Sequence, residues 1–145
     1  MKHANAATKK RKRLSNRTRE QRIKSTVIPA LRNRSRYWKD KQEARKLAKR
    51  KIQIGLTLKG KPKYKTVWEC ASCGKFCDKG ESQMDHINAV VDPSVGWVNY
   101  DTFIDRLFAP PEGWQCLCLK CHSDKTEKEN KIREKLKNES VKTKK

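Results

Sequence analysis

An α+β chain, with a small metal-stapled domain behind a basic and largely helical extension, is predicted by three features of the sequence. Two Cys-x-x-Cys pairs, Cys70 with Cys73 and Cys118 with Cys121, offer four soft thiolates, the tetrahedral set that structural zinc prefers. Strand-like runs and amphipathic helical runs alternate between and after those pairs. The formal net charge of +21 lies wholly in the first 65 residues, which hold 24 Lys and Arg against 3 Asp and Glu, while residues 66 to 145 hold 13 of each.

Composition sets the outer bounds. With 34% hydrophobic and 37% charged residues, the 145-residue chain has too little apolar material for one core along its whole length. No apolar run approaches the ~20 residues of a transmembrane helix, so no membrane association is expected. No apolar segment follows Met1 as in a secretory signal, and knuckle-spaced cysteines then point to metal ligands in a reducing cytoplasm rather than disulfides.

A dense basic segment beside a neutral one is the footprint of a protein that releases counterions from a phosphate backbone, which makes nucleic acid the expected partner. The alternative is a solvated basic tail. Lys9 to Arg13 also fits a nuclear import signal, although such runs are equally common in arms that touch phosphate.

Element by element, residues 1 to 20 are expected to form a disordered basic arm. Residues 21 to 54 form a basic helical extension for binding nucleic acid. A first short helix starts at Pro29, which suits a first turn, and carries Ala30, Leu31, Arg34, Tyr37 and Trp38. Asp40 and Glu43 resemble a capping box, and Ala44, Leu47, Ala48 and Ile52 fall on one face, so a second helix is expected over about 41 to 53. Its opposite face is mostly Lys and Arg, with Arg45, Lys49 and Arg50 as candidate phosphate contacts. Gly55, Gly60 and Pro62 then mark residues 55 to 65 as a flexible linker.

The metal-stapled domain spans 66 to 137, before a disordered tail at 138 to 145. Residues 66 to 70 read as a strand entering a knuckle closed by Gly74, whose amides can stabilise thiolates. Residues 82 to 91 contain an extended segment bearing Asp85 and His86, broken by Pro93 and Gly96. Asp101 can cap a packing helix with Phe103, Ile104, Leu107 and Phe108 on one side. Arg106 can pair with Asp101 or Asp105, or reach phosphate. Residues 114 to 117 form a strand into the second knuckle, and a long polar helix follows, opened by His122 and supported by Glu127 with Lys131 and Glu129 with Arg133. Cys77 and Cys116 are spare thiols, read as small buried apolar residues.

Cys70-x-x-Cys73, then Met84-Asp85-His86-Ile87, then Leu117-Cys118-x-x-Cys121-His122-x-x-Lys125-Thr126 together resemble the HNH endonuclease family, with its ββα-metal finger, in its zinc-stapled form. The likeness covers about residues 68 to 128. The stretches DTFIDRLF and GWQCLCLKCHSDKT look like the small HNH proteins of bacteriophages, and the segment from Leu31 to Trp38 is similar to the region before the nuclease in some of them.

The resemblance implies a phosphodiester hydrolase acting on DNA, with zinc in the four-cysteine staple. His86 corresponds to the general base that deprotonates the attacking water. Asp85 and His122 correspond to the ligands of one catalytic divalent cation, Mg2+, Mn2+ or another transition metal. Lys125 could hold the adjacent phosphate or be a plain surface lysine. Phage terminase is an implied partner, and the bacterial host cytoplasm the implied compartment. One position departs from the pattern: Gly113 stands where the middle Asn of the motif normally braces the loop of the base. Asn88, Asn99 or a backbone carbonyl on His86 could take over that role.

Two competing readings fit parts of the chain. A non-catalytic zinc-ribbon binder of the ribosome-associated type accounts for the knuckles and the charge, and a homing endonuclease would use the basic helices for recognition. Asp85, His86 and His122 discriminate, because a plain binder has no use for a carboxylate beside phosphate unless a cation lies between them.

Overall fold

The computed structural model describes residues 17 to 142, so residues 1 to 16 of the expected arm and 143 to 145 of the expected tail lie outside it. The chain divides into two units, the first ending at Arg36 and the second beginning at Tyr37.

In the first unit, α1 (Arg19–Ser35) is set by its start. The Thr18 side chain accepts the Gln21 amide while the Gln21 side chain accepts the Thr18 amide, a reciprocal capping box. The helix expected from Pro29 therefore begins at Arg19, within the stretch expected to be a disordered arm, and Pro29 lies in its interior. Proline's missing N–H costs α1 one internal hydrogen bond without ending it.

The second unit opens with α2 (Lys39–Leu47), capped by Trp38 without a side-chain bond, so the expected Asp40 and Glu43 box does not form. Asp40 in the first turn and Arg45 and Lys46 in the last complement the helix dipole. The helix stops at Leu47 rather than at residue 53. Lys49 instead starts β1 (Lys49–Leu56), which pairs antiparallel with β2 (Pro62–Glu69). β-branched Ile52 and Ile54, alternating with polar residues, favour the pleated backbone over the helical face that the spacing of Ile52 also fits.

Residues 55 to 65 are thus the tip of a hairpin and not a linker. Thr57 N–H donates to Lys61 O at 2.7 Å and Gly60 N–H to Thr57 O at 2.9 Å, with Gly60 at φ 73°, a left-handed conformation that favours glycine. β2 continues into β3 (Phe76–Cys77), completing a three-stranded sheet at its base.

A second sheet pairs β4 (Ser82–His86) with β5 (Trp114–Cys118), antiparallel from Ser82 opposite Cys118 to His86 opposite Trp114. Between them runs α3 (Tyr100–Leu107), capped by Asn99, whose side chain accepts the Thr102 amide at 2.8 Å; Asp101, the expected cap, sits inside the first turn. Phe103 and Leu107 are buried, whereas Ile104 faces out. α4 (Leu119–Lys142) follows β5 directly and extends through the first part of the expected tail. Its Lys131–Glu127 and Arg133–Glu129 pairs form at 2.6 and 3.0 Å.

The core of the second unit draws on α2, β2, β3, α3 and β5: Ala44, Val67, Cys70, Cys77, Phe103, Leu107, Trp114, Cys116, Leu117 and Cys118. α2 belongs to it, because the indole N–H groups of Trp38 and Trp114 both donate to Ala109 O at 3.0 Å. The architecture is α+β, and among the described residues no helix is long and apolar enough to cross a membrane.

Candidate active site and metal cluster

The two knuckles meet. Cys70 and Cys73 flank a turn closed by Gly74 N–H on Cys70 O at 2.8 Å, with Gly74 at φ 70°. Cys118 ends β5 and Cys121 lies in the first turn of α4. All four sulfurs lie within 4.8 Å of one another, a group that could hold a metal ion. A tetrahedral zinc with bonds of about 2.3 Å needs sulfurs about 3.8 Å apart, so modest tightening seats one.

The thiols also divide charge among themselves. Burial pushes the Cys70 thiol up, yet backbone hydrogen bonds at Cys118, Cys73 and Ser72 outweigh it and bring Cys70 down to about 6. Ser72 pulls the Cys121 thiol down, but hydrogen bonding with Cys118, burial and the remaining thiols push it up to about 12. A bound cation would supply the positive charge that all four need to ionise together. Cys77 and Cys116 are buried outside the group, and burial raises both thiols.

Beyond the cluster, the end of β4 directs consecutive side chains to opposite faces. Asp85 faces α4. Its Oδ1 lies 4.0 Å from His122 Nε2, and its Oδ2 lies 2.6 Å from Lys125 Nζ and 3.5 Å from Gln115 Nε2. His122 and Lys125 share a helix face by their spacing of three, and Gln115 is the residue opposite Asp85 in the β4–β5 register. Lys125 also donates to the carbonyl of His86 and lies 3.5 Å from Glu129.

His86 takes the other face, where its ring lies 3.8 Å from that of Trp114 and its Nε2 is 3.1 Å from Leu107 O. A carbonyl only accepts, so Nε2 carries the proton and Nδ1 keeps its lone pair. Burial lowers the His86 pKa; the Leu107 carbonyl and Asp85 oppose that shift, while Lys41 and Lys125 reinforce it. The neutral ring, the form able to take a proton, is therefore favoured.

At Gly113, Ile87 N–H donates to the carbonyl at 2.9 Å, tying the chain just after His86 to the segment before β5. A Cβ at this position would meet that of Ala109 at 2.7 Å, so an asparagine does not fit there without a shift. Asn99 is occupied as the cap of α3, and the Asn88 side chain has no hydrogen-bond partner among the described residues. Backbone groups, at Gly113 and Leu107, therefore do the bracing.

The expected phosphate contacts are mostly engaged inside the second unit. The Arg45 guanidinium lies 5.0 Å from the Trp68 ring and Arg50 pairs with Glu69 at 3.0 Å, while Lys125 is held by Asp85. Lys49, in β1, has no ion-pair partner among the described residues. Arg106 pairs with Asp92 at 3.5 Å rather than with Asp101 or Asp105. Sequence reading missed Trp114, Gln115 and the Leu107 carbonyl; the first two reach the site through the β4–β5 register, which sets Trp114 opposite His86 and Gln115 opposite Asp85.

No protein-family model, no curated protein and no solved structure matches this chain. The chemistry of the site is therefore read from its geometry.

Proposed function

We propose that the chain is a metal-dependent DNA endonuclease of the HNH type, with structural zinc on Cys70, Cys73, Cys118 and Cys121. The observation that carries this reading is the juxtaposition at the end of β4. Asp85 Oδ1 and His122 Nε2 stand 4.0 Å apart, and the next residue, His86, has its Nε2 fixed by a carbonyl. Two ligands with bonds of about 2.0 to 2.2 Å sit roughly 3.0 to 3.4 Å apart around one divalent ion, so a closure of less than about 1 Å would let Asp85 and His122 share one.

His86 Nδ1 takes the proton of the attacking water, while the Leu107 carbonyl holds the tautomer and steadies the imidazolium that forms. Trp114 limits the swing of the ring. Asp85 and His122 would hold the cation, Mg2+, Mn2+ or another divalent transition metal, which would supply the positive charge that offsets charge developing on the phosphate and the departing 3′ oxygen. The products carry 5′ phosphate and 3′ hydroxyl ends. DNA, met mainly through its phosphates, is the partner; the resemblance to phage proteins adds terminase as a second one and the bacterial host cytoplasm as the compartment.

One observation favours a second reading, a non-catalytic zinc-ribbon binder. Lys125 already neutralises Asp85, as in a purely structural ion pair. A cleavage assay on supercoiled plasmid across a series of divalent cations separates the two. The endonuclease cuts with metal and loses ~10²-fold or more in His86→Ala, the usual size of a general-base contribution. Tight duplex binding without scission under any cation supports the binder.

A further inference from the structure

The β1–β2 hairpin leaves the core. Val67 near its base is buried, but every residue from Gln53 to Lys65 is exposed, on both faces of the ribbon. A two-stranded hairpin without a packed face is marginal in water on its own. Between Lys49 and Lys65 there are seven Lys and Arg and no Asp or Glu. Arg50 and Lys65 are paired to Glu69 and Asp78 at the base, whereas Lys49, Lys51, Lys59, Lys61 and Lys63 have no ion-pair partner among the described residues.

Apolar side chains are interleaved with these charges. Ile54, Leu56 and Tyr64 are 49%, 64% and 59% exposed, and Leu58 at the tip is fully exposed. A ribbon that only needed solvation would carry polar residues there. Charge against phosphate combined with apolar contacts against base edges is the chemistry of a nucleic-acid groove. Size discriminates between grooves: a two-stranded ribbon is admitted by the B-DNA major groove, about 12 Å wide, but the A-form major groove is deep and narrow.

We propose that the β1–β2 ribbon docks duplex DNA by entering its major groove, with Lys59, Lys61 and Lys63 on the flanking phosphates and Leu56, Leu58 and Tyr64 toward the bases. The choice of DNA as partner rests on the endonuclease reading, but ribbon docking does not depend on cleavage.

The test is fluorescence anisotropy of the full chain on a short duplex, without added divalent cation. It compares wild type with the Lys59→Gln, Lys61→Gln, Lys63→Gln triple variant and with a charge-preserving Leu56→Ser, Leu58→Ser variant. Because these residues are exposed, both variants should keep the wild-type melting curve. The triple variant should bind at least ~30-fold more weakly at about 0.1 M salt and flatten the log K against log salt slope by about 2 to 3, near 0.9 for each phosphate no longer neutralised. Wild type should bind ~10-fold more weakly to the same duplex with glucosylated hydroxymethyl groups on cytosine C5, which fill the major groove and leave the phosphates in place. The leucine variant should lose most of that discrimination.

On an RNA duplex of the same sequence the triple variant should lose several-fold less affinity than on DNA, because only the sequence-independent charge term is lost there. Unchanged affinity and slope in the triple variant, indifference of wild type to the filled groove, or equal losses on RNA and DNA would each overturn the proposal. Cleavage is scored separately: docking without cutting leaves the ribbon standing and removes the endonuclease, and cutting with ribbon-independent docking does the reverse.

Discussion

Lys125 Nζ rests 2.6 Å from Asp85 Oδ2 although the two residues lie 40 apart in sequence, and the same ammonium donates to the carbonyl of His86. A monovalent cation thus occupies one oxygen of the carboxylate proposed to hold a divalent one. Removing it has opposite effects on stability and on metal binding. Lys125→Met should lower stability by about 1 to 2 kcal/mol, the scale of a lost charge-assisted hydrogen bond, and tighten Mn2+ by up to about tenfold. Urea unfolding and isothermal titration calorimetry read the two separately. Unchanged Mn2+ affinity would mean that Asp85 is not a ligand.

The four-thiol cluster should carry about one metal ion per chain, because zinc binding supplies roughly 10 kcal/mol or more of folding free energy in domains of this kind. Cys118→Ser should collapse the second unit; Cys77→Ser, outside the cluster, should destabilise it without changing metal content. Elemental analysis beside near-ultraviolet circular dichroism checks both. Full metal occupancy in a folded Cys118→Ser chain would remove Cys118 from the set.

Truncation should respect the boundary at Arg36 and not one at residue 54. Removing residues 1 to 36 leaves the second unit its whole core. Removing 1 to 54 strips α2 and most of β1, uncovering Val67 and deleting the Trp38 bond to Ala109. Thermal melts should show a cooperative transition for the shorter deletion and none for the longer.

Restoring the asparagine of the HNH pattern should do harm. Gly113→Asn drives a Cβ to 2.7 Å from that of Ala109, and overpacking of this sort costs about 1 to 3 kcal/mol. Adding Ala109→Gly in the same chain should recover part of that loss, giving a measurable coupling in a double-mutant cycle of denaturation midpoints. Additive effects would place the strain elsewhere.

What the sequence made legible was whatever depends on local spacing. The knuckles, the Asp85 and His86 strand, the helix opened by His122 and the ion pairs along α4 all follow from neighbours a few residues apart. Trp38 shows the limit: its indole bond runs to Ala109, 71 residues away, and it binds α2 into the domain that composition alone would begin only at residue 66. The hairpin is hidden because Ile52 also completes a helical stripe with Ala44, Leu47 and Ala48, and the glycines of a tight turn look like those of a linker. The start of α1 lies in a run whose charge suggests disorder, although the Thr18 and Gln21 box is there to be found. Lys125 is visible as a cation near the site, but its partner depends on how β4 lies against α4, which no spacing in the sequence encodes.

The order of the chain also fixes when the site comes into being. Cys73 and Cys118 are 45 residues apart and 4.0 Å distant, and closing such a loop costs roughly 3 kcal/mol in entropy before any packing offsets it. β5 and the first turns of α4 close it, and those turns carry Cys121, His122 and Lys125. During synthesis Asp85 and His86 therefore leave the ribosome well before any of the groups that hold or neutralise them. On the endonuclease reading, a chain that stops before residue 122 lacks both the last thiol of the staple and the partner of Asp85 in the proposed cation pair, so fold and site are completed together by the same turn of α4.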